Sequence, residues 1–246
     1  MRRYAMAYMA ANGKSRISRS ERIQAQLSGI RVRNSRVGVW WMAESGVIEL
    51  DVFYDYMCPY VYRASVMLDS VAASGGARLK VGWRYFSLAQ VNAKDEGWTA
   101  WDAPEAEVVR GRLAFKAAEA ARRQGRFQDL HMPLLRARHR DRLDLDDPEV
   151  VDGVAAGSGL DLARLHADMA DPTILQTLAR DHQAGVAEFG VFGTPTLVFA
   201  DGAAAYVRLA GAFEGPEALE VFQHLLTVAA AEPRIVEIKR PRKPAP

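Results

Sequence analysis

The apolar positions along the chain change their period several times, and each change marks a predicted element. Val47, Ile48, Leu50, Val52 and Phe53 form a nearly continuous apolar run, which suits a strand buried on both faces. Asp55-Tyr56-Met57-Cys58-Pro59 breaks it, and Pro59, with φ preset, suits the first position of a helix. Tyr60, Ala64, Met67 and Val71 then recur at helical spacing until Ser74-Gly75-Gly76 stops them. Residues 78–86 predict a second strand with Leu79, Val81, Trp83 and Tyr85 on one face, and a crossover of this length excludes a hairpin.

From about residue 104 to residue 189 the pattern is helical. Residues 104–124 are rich in the strong helix formers Ala, Glu and Arg. Asp147-Pro148, Asp161 and Asp171-Pro172 are good helix starts, each with an Asp cap and two with Pro at the first turn. Leu162, Leu165 and Met169 mark one apolar face; Ile174, Leu178 and Val186 mark another. The sheet pattern then resumes. Residues 196–200 predict a short strand, Asp201-Gly202 a hairpin turn, and residues 205–210 its return. Gly215-Pro216 opens a last helix with Leu219, Phe222 and Leu226 on one face.

The order β-α-β, helical block, β-β-α is the thioredoxin arrangement, an α/β thioredoxin-like fold (βαβ…ββα) with a helical insertion domain. It predicts five segments: an N-terminal extension over 1–46, expected to be disordered; the first half of the thioredoxin-like domain over 47–100; the helical insertion over 101–189; the second half over 190–231; and a Pro- and Lys/Arg-rich extended tail over 232–246.

Composition changes this picture in two places. The 246 residues are 49% apolar and 25% charged, which is ordinary for a globular protein. The net charge of +2 is divided unevenly: residues 1–41 hold Lys14, eight Arg and Glu21, a charge of +8, so the rest carries −6. A basic extension on a mildly acidic body does not make a nucleic-acid-binding core, and no apolar run is long enough to span a membrane. The favoured reading of residues 1–41 is upstream sequence before a start at Met42; a disordered tail and a targeting peptide are the alternatives. The second place is the single cysteine, which excludes an intrachain disulfide and a Cys-rich metal site and suits a reducing, cytoplasmic compartment.

That cysteine, Cys58, lies between a strand's carboxyl end and a helix N-terminus, where free N–H groups and the helix dipole favour a thiolate. Such a setting lowers the thiol value from roughly 8.5 to about 3.5–7.5. The alternative is an inert buried thiol. The second element is Gly193-Thr194-Pro195-Thr196, where a Pro just before a buried strand predicts a cis Thr194–Pro195 bond or an ordinary trans Pro at a strand start. The five histidines are scattered without metal-ligand spacing. Trp98 and Trp101 read as core or pocket lining, and Arg122, Arg123 and residues 136–142 as solvated helix faces.

Residues 53–62, Phe-Tyr-Asp-Tyr-Met-Cys-Pro-Tyr-Val-Tyr, resemble the active-site opening of DsbA-family oxidoreductases, the FrnE-like branch in particular, and residues 190–196 resemble that family's cis-proline loop. The resemblance covers about residues 47–230. It implies that Cys58 attacks a substrate sulfur while Thr194 and Pro195 hold the substrate backbone, with Pro59 and Tyr60 beside the thiol. One departure matters: Val61 stands where the family has its second cysteine, so Cys58 cannot close its own disulfide. A single thiol works through a mixed disulfide resolved by an external thiol, or through a sulfenic acid. Kappa-class glutathione transferases and 2-hydroxychromene-2-carboxylate isomerases are similar in layout, with Ser-Pro-Tyr where Cys58-Pro59-Tyr60 stands, and their likeness over residues 84–92 makes Asn92 a candidate polar contact.

Three functions follow as expectations: a monothiol oxidoreductase, a small-thiol-dependent transferase or isomerase, and a non-catalytic thioredoxin-like binding module. No metal and no bound cofactor are expected, glutathione or another low-molecular-weight thiol is the candidate co-substrate, and the partners are protein or small-molecule thiols and disulfides, with neither nucleic acid nor membrane. A homodimer is an open alternative to the monomer.

Overall fold

The computed structural model describes residues 47–75, 78–232, 234–238 and 240. The predicted extension over 1–46, and with it the proposed start at Met42, lies outside the described residues, as does part of the 232–246 tail. The central strand β1 (Val47–Tyr54) is followed by helix α1 (Pro59–Ala73) and β2 (Arg78–Tyr85). Short α2 (Leu88–Val91) leads to the helices α3 (Arg112–Arg123), α4 (Phe127–His139), α5 (Pro148–Gly157), α6 (Leu162–Met169) and α7 (Thr173–Phe189). The hairpin β3 (Thr196–Phe199) and β4 (Ala204–Tyr206) precedes α8 (Gly215–Ala229). The sheet order is β2-β1-β3-β4, with β1 parallel to β2 and antiparallel to β3.

Both faces of β1 are covered, as its continuous apolar run requires. Ile48, Leu50, Val52 and Tyr54 share one core with Val61, Met67 and Val71 of α1 and with Ala218, Phe222 and Leu226 of α8. Phe53 packs on the other side with Phe86, Val191, Val198 and Phe189. The helical segment is joined to the sheet through this same core. The Tyr54 ring meets Trp83 and Tyr85 of β2, Phe115 of α3 and His131 of α4 at centroid distances of 5.0–5.9 Å. Burial pushes the His131 imidazole down to about 3, with the Arg122 charge adding to the effect. The edge strand β2 is capped from α7: Asp181 accepts from Arg84 Nε at 3.0 Å and from the Tyr85 amide at 3.2 Å.

Four details differ from the sequence reading or add to it. Residues 104–111 are turns, because the Arg112 guanidinium is buried and donates to the carbonyls of Ala103, Pro104 and Glu107, folding the segment over itself. Val186 is exposed; the buried face of α7 continues through Asp181, His182 and Gly185 instead. Arg122 is exposed, as a solvated helix face requires, yet its guanidinium also lies 4.0 Å from the Phe127 ring centroid and bonds to Glu119 and the Trp83 carbonyl. The return strand β4 ends at Tyr206, where the next partner, Pro195, has no N–H to give the ladder.

Candidate active site

The turn between β1 and α1 builds the site. Cys58 is the N-cap of α1 with extended φ −88° and ψ 115°, and Pro59 takes the first helical position. The Cys58 amide donates to the Asp55 carbonyl at 3.1 Å and the Val61 amide donates to the Cys58 carbonyl at 3.1 Å, so the turn closes on itself. The side chain of Asp55 fixes it from below. Fully buried, its carboxylate accepts from the Met57 amide and from the Leu88 amide at the start of α2, both at 2.7 Å. Burial pushes this carboxyl up to about 6, against the pull of those two amides and of Arg110.

Cys58 is only 5% exposed, and its Sγ donates to the Thr194 carbonyl at 3.2 Å, across 136 residues of sequence. The two predicted elements therefore meet. The Thr194–Pro195 peptide bond is cis. Around it, Thr196 Oγ1 donates to the Gly193 carbonyl at 2.8 Å and the Val207 amide to the Pro195 carbonyl at 3.0 Å. Thr194 Oγ1 is buried without a hydrogen-bond partner among the described residues. A Cβ on Gly193 would stand 3.1 Å from the Tyr206 ring, so the loop lies close under that side chain.

Pro59 is exposed and Tyr60 half-buried beside the thiol. The Tyr60 hydroxyl accepts from Arg208, whose guanidinium lies 4.2 Å from the Tyr60 ring centroid; that of Arg63 lies 5.4 Å away. The Tyr206 ring packs at a tilt of 57° and a centroid distance of 4.9 Å against Phe192, which is 67% exposed. Burial raises the Tyr206 hydroxyl above its ordinary value, Arg208 opposes this, and a Cys58 thiolate adds to it. On the other flank, Met57, Pro59, Arg138, His139 and Arg142 line a hollow of about 330 Å³. There His139 Nε2 lies 2.8 Å from the Tyr56 carbonyl oxygen and its ring stacks on Tyr62.

Of the residues singled out in the sequence, Cys58, Pro59, Tyr60, Thr194 and Pro195 come together. Asn92 is exposed and turns back into its own helix, donating to the Leu88 carbonyl at 2.6 Å. Asp55, His139, Tyr206 and Arg208 were not singled out. Asp55 alone carried a local signal, an acid at the end of a buried strand. Among the described residues no cluster of His, Cys, Asp or Glu suits a metal ion, and no helix is long and apolar enough to cross a membrane.

Comparisons with known proteins bear on the family and the fold. An uncharacterized protein of Mycobacterium tuberculosis, Rv2286c, is 29% identical over 199 residues, 80% of this chain and 83% of its own length. The crystal structure of a probable DsbA oxidoreductase, SCO1869, from Streptomyces coelicolor superposes with a TM-score of 0.54 at 22% identity, over 79% of this chain and 92% of that one. A 2-hydroxychromene-2-carboxylate isomerase superposes with a TM-score of 0.50 at 14% identity, over 64% of this chain and 88% of its own. At these identities the two structures establish the fold alone. The DSBA-like thioredoxin domain profile matches residues 49–227, and the chain belongs to that family.

Proposed function

We propose that the protein is a monothiol thiol-disulfide oxidoreductase working through Cys58. The observation that carries this reading is the thiol at the N-terminus of α1, held 3.2 Å from the Thr194 carbonyl of the cis-proline loop. In the first step the Cys58 thiolate attacks one sulfur of a disulfide. A Cys58–sulfur bond forms, the old S–S bond breaks, and the leaving thiolate takes the electron pair and then a proton from solvent. A second, external thiolate attacks the mixed disulfide and releases Cys58, so the electrons balance without any other oxidant.

The cis-proline loop is the substrate contact in this reading. Displacing the Cys58 Sγ–H contact frees the Thr194 carbonyl, and the unpartnered Thr194 hydroxyl supports an incoming polar backbone. The sequence around Cys58-Pro59-Tyr60-Val61 supports the FrnE-like branch, and a lone thiol supports a reducing, cytoplasmic setting with glutathione or another small thiol as co-substrate.

The test is intact-mass analysis of the folded chain after incubation with oxidised glutathione. A single glutathione adduct on Cys58, removed by excess reduced thiol and absent in Cys58→Ser, is the expected result. An adduct that forms only after denaturation overturns the reading.

One observation favours a second reading. Val61 fills the resolving position as part of the buried core, so nothing in the site recycles the thiol. A site that holds a small thiol for transfer or isomerisation also needs no resolver. Calorimetry with reduced glutathione separates the two, since saturable binding without adduct formation belongs to the second alone.

A further inference from the structure

We infer that Arg208 selects the partner of Cys58, favouring a disulfide that bears a carboxylate beside its sulfur. The inference rests on the exchange reading and names its substrate class.

Arg208 follows β4, and its guanidinium is fixed in two ways. It lies over the Tyr60 ring, and it donates to the Tyr60 hydroxyl, two residues beyond Cys58 in the first turn of α1. A stacked guanidinium is more rigid than a free surface arginine, so less freedom is lost when it binds. Among the described residues no carboxylate pairs with Arg208 or with Arg63, which flanks the same ring and donates to the Leu209 carbonyl. Two cations without a carboxylate partner therefore stand at the Tyr60 ring, two residues beyond Cys58, although the chain beyond residue 41 is net acidic. The thiolate is close enough for its charge to be felt at Arg208.

The neighbouring surface is aromatic. Phe192 and Tyr206 are both exposed and pack against each other with tilted rings, leaving an apolar face next to the cationic one. A ligand that meets both has an anionic group a few bonds from sulfur and a carbon skeleton behind it. A guanidinium whose Tyr60 contact takes one N–H keeps further N–H groups for a carboxylate, in the forked geometry that lysine lacks. The attracted anion is brought to the sulfur that Cys58 attacks, and the leaving thiolate departs past the same positive charge.

The experiment uses the full chain and three disulfide probes: 5,5′-dithiobis(2-nitrobenzoate), which is anionic; 4,4′-dithiodipyridine, which is neutral; and cystamine, which is cationic. Each rate is divided by that of the urea-unfolded chain, whose only thiol is the same Cys58. The expected order is anionic over neutral over cationic, and it flattens as salt screens the charge. In Arg208→Gln the anionic-to-neutral ratio falls about tenfold, whereas Arg208→Lys, which keeps the charge but not the fork or the stacking, falls between that and the parent.

A merely structural role for Arg208 would change all three rates in proportion and leave the ratio alone. That result, or a wild-type ratio indifferent to charge and salt, overturns the inference while leaving Cys58 exchange intact. A folded chain whose Cys58 reacts with none of the three probes overturns the exchange reading, and the inference with it.

Discussion

Val61 lies one helical turn after Cys58 and is packed into the core with Ala64 and Met67, so the position of the family's second sulfur is occupied by an apolar side chain and sealed from solvent. Residues three apart in a helix have Cβ atoms roughly 5–6 Å apart, and a disulfide needs Cα atoms within about 4.4–6.8 Å, so a thiol placed at 61 reaches Cys58 with little backbone adjustment. In Val61→Cys the glutathione adduct of Cys58 becomes transient: the new thiol displaces glutathione and the chain ends two hydrogens lighter. Time-resolved intact-mass analysis checks this, and an adduct as long-lived as in the parent refutes it. The residues legible in the sequence were those whose chemistry is local. Cys58 with Pro59, and Thr194 with Pro195, each declare a turn and a role within a few positions. Arg208 and His139 reach the same turn by contacts across 148 and 83 residues, and no pattern in the chain joins those positions.

The elements behave likewise, and α7 shows why. A hydrophobic pattern finds Ile174 and Leu178 but then picks Val186, because the true face continues through Asp181, His182 and Gly185. Asp181 is buried because it completes the β2 edge, His182 because its Nδ1 accepts from the Ser87 amide at 3.2 Å, and Gly185 because Phe53 needs the space. A Cβ on Gly185 would stand 2.7 Å from Phe53 Cε1, and Phe53 is fully buried. Alanine is the better helix former by about 1 kcal/mol. Here overpacking of a close-packed core, about 1–3 kcal/mol, outweighs that gain and leaves Gly185→Ala destabilising by up to about 2 kcal/mol net. A lowered urea midpoint with unchanged slope is the expected outcome; a raised midpoint would mean that Phe53 moves aside freely. The irregular 104–111 segment has the same origin, since its Ala and Glu residues favour helix while one buried guanidinium, Arg112, collects the carbonyls that a helix would have used internally.

At the scale of the whole molecule, the shared core of sheet and helices buries titratable groups of both signs, and their sum sets how stability depends on pH. Burial pushes His131 down to about 3 and His182 down to about 4, and it also lowers His139. The His131 and His182 imidazoles are neutral in the fold and take up a proton on unfolding, so they contribute stability that is lost as pH falls below the ordinary histidine value. Burial raises Asp55 to about 6 and Asp69 in the same direction. The Asp55 carboxyl holds a proton in the fold that it releases on unfolding, so its contribution is lost as pH rises. Between about pH 4 and about pH 6 the His131 and His182 imidazoles oppose the Asp55 carboxyl, and across these three groups the unfolded chain binds roughly one proton more. Stability therefore rises with pH across that window by about 1.4 kcal/mol per unit. Asp55→Asn removes one opposing carboxyl, and the slope nearly doubles although the variant loses one of the two amide contacts that hold the Cys58 turn. Urea unfolding of both proteins at about pH 4.5 and about pH 5.5 measures the two slopes. A variant slope equal to or below that of the parent would show that Asp55 is ionised in the fold throughout this range. The carboxylate beneath Cys58 would then be fully charged whenever the thiol reacts, held so by the Met57 and Leu88 amides against its burial.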